Sequence, residues 1–474
     1  MRKASIWLLV TVFLLLSGVI CRSQVQFPDT PAGRQCAAWL QAFNRGDRET
    51  YRDFLQKNFP SRVERLDQDV NFRERTGGFE LRKVEESTPA KLVALVQERV
   101  SDQFGRLTLE VEAAELYRIT NLALRAIPRP ADFPLPHMSE TELMADVRKK
   151  LDADAAAGSF AGAVLVSKNG KPIFAEAYGL ADREHKIPDT LKTRFRIGSM
   201  NKMFTAVAIL QLVQANKLGL NDPLGKYLTD YPNKDVAAKV TIHELLTHTG
   251  GTGDIFGPEF DAHRPELRTL QDYVKLYGSH GPKYDPGSRW EYSNYGFVLL
   301  GVVIEKVSGE SYYDYVREHI YNPAGMASTG SEPESQAVTD RSVGYTKMGG
   351  NGQWQPNADT LPYRGTSAGG GYSTVEDLLK FANALQENKL LNAHFTEMLT
   401  TGKDGTPDNS YAYGFSDHKI NGTRCFGHGG GAPGMNGELE ICPGTGYVVA
   451  VLSNLDPPAA TQISDFITNR LPAR

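Results

Sequence analysis

Ser199 and Lys202 stand three residues apart where FRIGS gives way to the apolar run MFTAVAILQLV. That spacing sets a hydroxyl and an amine on one face of a helix start, where free backbone N–H groups favour a developing oxyanion. An amine beside a hydroxyl can activate it as a nucleophile. At average amino-acid usage about two S-x-x-K matches are expected in a chain of this length, and two occur. The other, Ser416 to Lys419, lies in SDHKINGT, whose turn chemistry would not hold the pair together. Farther along come Tyr292-Ser293-Asn294 and then His428-Gly429-Gly430-Gly431. A buried amine or phenol serves as a base at neutral pH only when desolvation and neighbouring cations lower its pKa. Lys202 close to Tyr292 would supply that coupling, and which of the two holds the proton is a property of the pair.

Taken in this order, the three elements resemble the serine β-lactamase and penicillin-binding-protein family, in its class C, DD-peptidase and esterase branch. The likeness runs from about residue 140 to 470, through FRIGSMNKMFTAVAILQLV, KLGLNDPLGKYL, IHELLTHTGG, YSNYGFVLLGVVIEKVSGESYYDYV, NPAGM and GGGYSTVEDLLKFANAL. It implies a β-lactamase/transpeptidase-like α/β (α+β) sandwich, an antiparallel sheet flanked by helices, with an all-helical lobe. It also implies an acyl-enzyme route. Ser199 attacks a carbonyl, Lys202 and Tyr292 relay the proton, and Asn294 holds substrate and lysine. His428, Gly429, Gly430 and Gly431 form the third element, and the backbone N–H groups of Ser199 and Gly431 form the oxyanion hole.

Two departures matter. His428 stands where β-lactamases carry lysine, and a neutral imidazole attracts a substrate carboxylate less than an ammonium does. Activity on anionic acyl substrates is expected to fall as pH rises through about 6.5, the ordinary imidazole pKa. A class A type deacylation glutamate is not evident, which leaves Tyr292 to activate the hydrolytic water. The expected partner is a small ester, amide or D-amino-acid peptide, with β-lactam turnover secondary and no cofactor or metal. A catalytically idle penicillin-binding or sensor protein of the same fold is the alternative from another class.

Several look-alikes are set aside. Tyr231-Pro232-Asn233 repeats Y-x-N in a proline-broken surface loop, and His248-Thr249-Gly250 precedes Tyr292, whereas the family's third element comes last. His243-Glu244 with His248 is one residue too long for H-E-x-x-H, because five residues turn a helix by about 500°. Gly365-Thr366-Ser367-Ala368-Gly369 fits a nucleophile elbow and would make an α/β-hydrolase with His428 as base. An elbow runs at once into a helix, yet Gly369, Gly370 and Gly371 delay the next helix start to about Thr374. Gly219 to Lys226 lacks P-loop spacing.

The elements that must position these groups read as follows. Ser139 with Glu142 makes a capping box for a helix through about Ala156, and 160–178 reads as a hairpin turning at Asn169-Gly170. Helical runs follow near 200–216, 242–248, 294–307, 311–320 and 374–386, and strands near 422–428, 436–442 and 446–453. Sheet residues from both ends of this region, with helices between them, suggest a sandwich closed by its own termini.

Upstream, Tyr51, Phe54, Leu55 and Phe59 keep one helical stripe, and after Gly77-Gly78 strand-like runs appear at 92–96, 107–111 and 122–124. This is a small α+β domain over 24–130, whose opening AAWLQAFNRGDRETYRDFL resembles the nuclear-transport-factor-like domains. It lacks His, and its basic and acidic residues nearly cancel, so it reads as a packing or self-association module. A Pro-rich linker at 131–138 precedes the hydrolase domain at 139–474. Only six of the 45 glycines fall in 1–150, which marks the two regions as differently built.

Composition bounds the rest. With 474 residues, 41% hydrophobic and 23% charged, the chain fits a soluble multidomain protein and excludes wholesale disorder or a polytopic membrane protein. A net charge of −4 without a basic run argues against nucleic acid. Arg2 and Lys3 before the apolar run 6–20 read as a signal peptide over 1–23, so export to a periplasm or exterior is expected. The mature chain then has no membrane span. Ile20 before Cys21 argues against lipidation. Cys36, Cys425 and Cys442 exclude a disulfide-dense scaffold, and whether the last two pair stays open.

Overall fold

The computed structural model describes residues 25–472 apart from 115, 136, 137, 349–351, 407 and 408. The apolar leader and Cys21 lie outside the described residues. The chain divides between Phe133 and Pro134 into two compact units, within the proline-rich stretch.

The first unit runs α1 (Pro31–Arg45), α2 (Arg48–Asn58), α3 (Leu66–Thr76), then β1 (Phe79–Ser87), β2 (Lys91–Glu98), β3 (Phe104–Val111) and β4 (Ile119–Ile127). The strands form one antiparallel sheet in sequence order. Thr30 and Asp47 cap the first two helices with their side-chain oxygens. Trp39, Phe43 and Leu55 from the helices share a core with Leu92, Leu107 and Leu109 from the sheet. Helices on an antiparallel sheet is the expected α+β arrangement.

The second unit opens with α4 (Glu140–Ala156), where Ser139 and Glu142 make the reciprocal capping box. β5 (Gly162–Lys168) and β6 (Lys171–Tyr178) form the hairpin, and Asn169 (φ 50°) and Gly170 (φ 76°) take the left-handed conformations of a tight primed turn. From the other end come β7 (Asp404–Thr406), β8 (Asn409–Tyr411), β9 (Ser416–Ile420), β10 (Thr423–Ala432), β11 (Met435–Cys442) and β12 (Tyr447–Ser453). All eight make one antiparallel sheet in the order β7-β8-β9-β10-β11-β12-β5-β6. The two ends of the unit meet where β12 pairs with β5, with Val451 opposite Val164.

Helices cover both faces. α5 (Asn201–Gln214) is apolar nearly all round, with eleven of its fourteen residues buried, and such a helix must sit at the centre of a core. α6 (Asn294–Ser308) packs on α5, and α7 (Val375–Gln386) on β5 and β12. On the opposite face α8 (Ala459–Thr468) packs on β11, β12 and α4. Short helices at Lys234–Lys239, Ile242–Leu246, Pro258–His263 and Leu270–Tyr277 build the helical lobe beside α6.

The structure adds elements that the sequence reading did not place, corrects two of its readings and decides the cysteine pairing it left open. α8, the helix Ala393–Thr400 and strands β7 to β9 were not expected, and α8 begins after Pro458 without a side-chain cap to announce it. The unit therefore closes with a helix. Ser416 and Lys419 lie in strand β9, where residues three apart point to opposite faces, so strand geometry and not turn chemistry separates them. Tyr231 is a core residue, 2% exposed, whose hydroxyl meets that of Tyr295 at 3.1 Å, and not part of a surface loop. Cys425 and Cys442 are joined by a disulfide that ties β10 to β11, while Cys36 is buried and free.

Candidate active site

Ser199 sits in a single 3-10 turn, Gly198–Met200, that runs straight into α5. Gly198 is in the left-handed region (φ 52°), and a Cβ there would stand 3.1 Å from the Gly431 nitrogen. Conversely, a Cβ on Gly430 would lie 1.9 Å from the Ile197 carbonyl oxygen and 3.1 Å from the Ser199 nitrogen. Only glycines allow the turn and β10 to approach this closely. The approach brings the Ser199 and Gly431 amides to one spot.

Lys202 reaches back one turn to the same spot. Its Nζ donates to Ser199 Oγ at 3.1 Å, to Asn294 Oδ1 at 2.7 Å and to the Ala368 carbonyl. The side chain is 0% exposed, and burial pushes its pKa down to about 7, opposed by the negative charge of Asp254. Asn294, first residue of α6, passes that charge along by donating from Nδ2 to Asp254 Oδ1 at 2.9 Å. The Tyr292 phenol hydrogen-bonds Ser199, and its ring lies under the ammonium, 4.7 Å from Nζ to centroid. Burial pushes the phenol's pKa well up, so it stays protonated at neutral pH. Thus Ser199, Lys202, Tyr292 and Asn294 gather in one cluster, with Ser199 and Tyr292 only partly buried.

His428 lies on β10 in the same wall, but both ring nitrogens are taken. Nδ1 sits 2.5 Å from the Gly429 carbonyl, which can only accept, so Nε2 accepts from the Tyr411 hydroxyl at 3.1 Å. Burial, with the Lys202 charge beside it, pushes the imidazole pKa down to about 4. The expected fall of activity through 6.5 is corrected accordingly: His428 is already neutral there.

The burial of Ser367 agrees with setting the elbow aside. Ser367 is 0% exposed, and its hydroxyl packs where a Cβ on Gly301 of α6 would come within 2.2 Å, so no substrate reaches it. His428 hydrogen-bonds Tyr411 instead. The 365–371 loop has another use: its Thr366 carbonyl accepts from Asn201 Nδ2 at 2.5 Å, and its Ala368 carbonyl holds Lys202.

Sequence reasoning missed Asp254, the Ala368 carbonyl and Tyr411, none of which carries a local motif. It set His248 aside as packing. The ring is buried, accepts from the Ser293 amide at 3.1 Å and lies 4.3 Å from the Tyr292 ring, which makes it the wall against which the phenol is oriented. His243 instead meets the Tyr413 hydroxyl at 2.7 Å.

A serine and a desolvated lysine at a helix start, walled by an antiparallel strand under a helical lobe, define an active-site-serine acyl-transfer fold. The chain belongs to the Beta-lactamase family, whose profile matches residues 147–473. It is 32% identical over 297 residues to the putative penicillin-binding protein PbpX of Bacillus subtilis, covering 62% of this chain and 71% of that one. Among solved structures it resembles a penicillin-binding protein from Bacillus halodurans at 33% identity and TM-score 0.60, covering 68% of this chain and 97% of that one. It also resembles a D-stereospecific amidohydrolase from Streptomyces sp. at 29% identity and TM-score 0.59, covering 69% and 98%.

Proposed function

We propose that the protein is an exported serine hydrolase that forms an acyl-enzyme on Ser199 with ester or amide substrates, D-amino-acid amides and peptides among them. The observation that carries this is the Lys202 amine, wholly buried, 3.1 Å from a partly exposed Ser199 hydroxyl, with its pKa near 7. Lys202 takes the Ser199 proton as Oγ bonds to the substrate carbonyl carbon, and the amides of Ser199 and Gly431 receive the oxyanion. As the carbonyl re-forms and the C–O or C–N bond breaks, Tyr292 donates its proton to the leaving group and regains one from Lys202. A water then attacks the acyl carbon by the reverse relay, and Ser199 leaves protonated. The likeness to the Streptomyces amidohydrolase supports the amide branch.

A neutral His428 supports neutral acyl substrates over carboxylates, which leaves β-lactam turnover secondary. Export is supported by the Cys425–Cys442 disulfide, which persists in an oxidising compartment. Among the described residues no helix is long and apolar enough to cross a membrane. The test is labelling with a fluorophosphonate probe and with fluorescent penicillin. Labelling is expected in wild type and in Ser367→Ala and lost in Ser199→Ala. Labelling that survives Ser199→Ala overturns the assignment, and penicillin binding without turnover of any ester or amide turns it to the idle-sensor reading.

A further inference from the structure

We infer that Asn436 is a positioning residue for the oxyanion hole, coupling the N-terminus of α8 to the Gly431 amide. This rests on the hydrolase reading above. Asn436 lies on β11 directly opposite Gly431 on β10 and is 3% exposed. Its Oδ1 accepts from the Ala460 amide at 2.7 Å and the Thr461 amide at 3.1 Å, both in the first turn of α8. An oxygen is required there, because two N–H groups point at it. The amide's orientation is thereby settled, and Nδ2 is left to donate to the Gly430 carbonyl at 2.9 Å, with the Thr461 hydroxyl 3.3 Å away.

The Gly430 carbonyl and the Gly431 N–H belong to one peptide plane and point in opposite directions. Asn436 grips the carbonyl end from behind, and the amide end faces the Ser199 turn, since a Cβ at Gly198 would stand 3.1 Å from the Gly431 nitrogen. The β10–β11 ladder, in which Gly430 pairs with Gly437 and Gly431 with Asn436, holds that stretch of backbone from one side. With glycine at 429, 430 and 431 there are no side chains of the strand's own to brace the plane, and the Asn436 side chain adds a hydrogen bond to the Gly430 carbonyl. Hydrogen bonds in series polarise one another, so the chain from the helix terminus through Asn436 to the peptide makes the Gly431 N–H a stronger donor as charge grows on the substrate oxygen.

The alternative role is a cap for α8 alone, and two substitutions separate the two. Asn436→Ala removes both functions. Asn436→Asp keeps an oxygen for the α8 amides and can donate to Gly430 only when its carboxyl is protonated. The titratable neighbours are Glu438 on the same strand, whose own pKa burial pushes up to about 8, Asp456 before α8 and Asp465 within it. The measurements are hydrolysis of p-nitrophenyl butyrate between pH 5 and 7 and binding of phenylboronic acid, whose tetrahedral adduct mimics the oxyanion.

Asn436→Ala is expected to lower kcat about tenfold or more, below the ~10²–10³ ceiling for deleting an oxyanion donor outright. KM should stay within about twofold, and boronate affinity should fall in step with kcat. The ratio of Asn436→Asp to wild type should rise as pH falls. Wild-type kcat and boronate affinity in Asn436→Ala, or an Asn436→Asp ratio that is flat or falls on acidification while Asn436→Ala is impaired, overturns the inference. Hydrolysis that persists in Ser199→Ala fails the hydrolase reading itself, a result distinct from either.

Discussion

Lys202 is wholly buried, and the negative charge of Asp254 reaches it through Asn294. The pH dependence of the chemistry follows from that balance. Desolvation lowers the amine's pKa to about 7, so the free base is the minor form below that pH and the major form above it. On a neutral ester, kcat/KM should therefore rise with pH through about 7 and then level. Asp254→Asn keeps an oxygen for the Asn294 hydrogen bond but removes the charge that favours the ammonium. The acidic limb should then move to lower pH, and a limb that stays in place or moves up would assign it to another group. His428 contributes no second limb near 6.5, since its imidazole is neutral down to about 4.

Strand β10 carries the third element, and its glycines and its disulfide act on it in different ways. A side chain at Gly430 would meet the Ile197 carbonyl, a backbone atom that cannot rotate away. Gly430→Ala should thus abolish ester hydrolysis by pushing β10 off the Ser199 turn, while circular dichroism shows the sheet retained. The Cys425–Cys442 bond closes a loop with a sequence separation of 17 between β10 and β11. A cross-link of that span stabilises by about 3 kcal/mol in the chain-entropy account. Cys425→Ser with Cys442→Ser should lose up to that amount in urea denaturation, and an unchanged midpoint would show the strands to be held by pairing alone. Both strands are buried mid-sheet, where ladder hydrogen bonds remain after reduction.

In the molecule as a whole, every group proposed for chemistry lies in the second compact unit, from Pro134 onward. The first unit has its own helices, sheet and core. A chain beginning at Pro134 is therefore expected to keep kcat/KM within about twofold, an effect size typical of changes outside the reacting groups. Of the two roles expected for the first unit, packing or self-association, the second predicts that the full-length protein is oligomeric and the truncated chain monomeric in analytical ultracentrifugation. Loss of activity on truncation, with the fold intact, would show that the first unit shapes the site.

The sequence by itself determined the capped helix and hairpin that open the second unit, the two-part division of composition, and the nucleophile with its lysine. Those features are local: a capping box, an Asn-Gly turn, an apolar helix and a serine three residues from a lysine follow from residues that are neighbours along the chain. Tyr292, Asn294 and His428 were legible only because their order matched a family. Tertiary structure alone decided that Cys425 pairs with Cys442, that Ser367 is sealed under α6, that His428 stays neutral, and that Asp254 and the Ala368 carbonyl hold the lysine. Each of these depends on burial and on contacts between residues far apart in sequence, and neither desolvation nor a long-range hydrogen bond leaves a trace in local spacing.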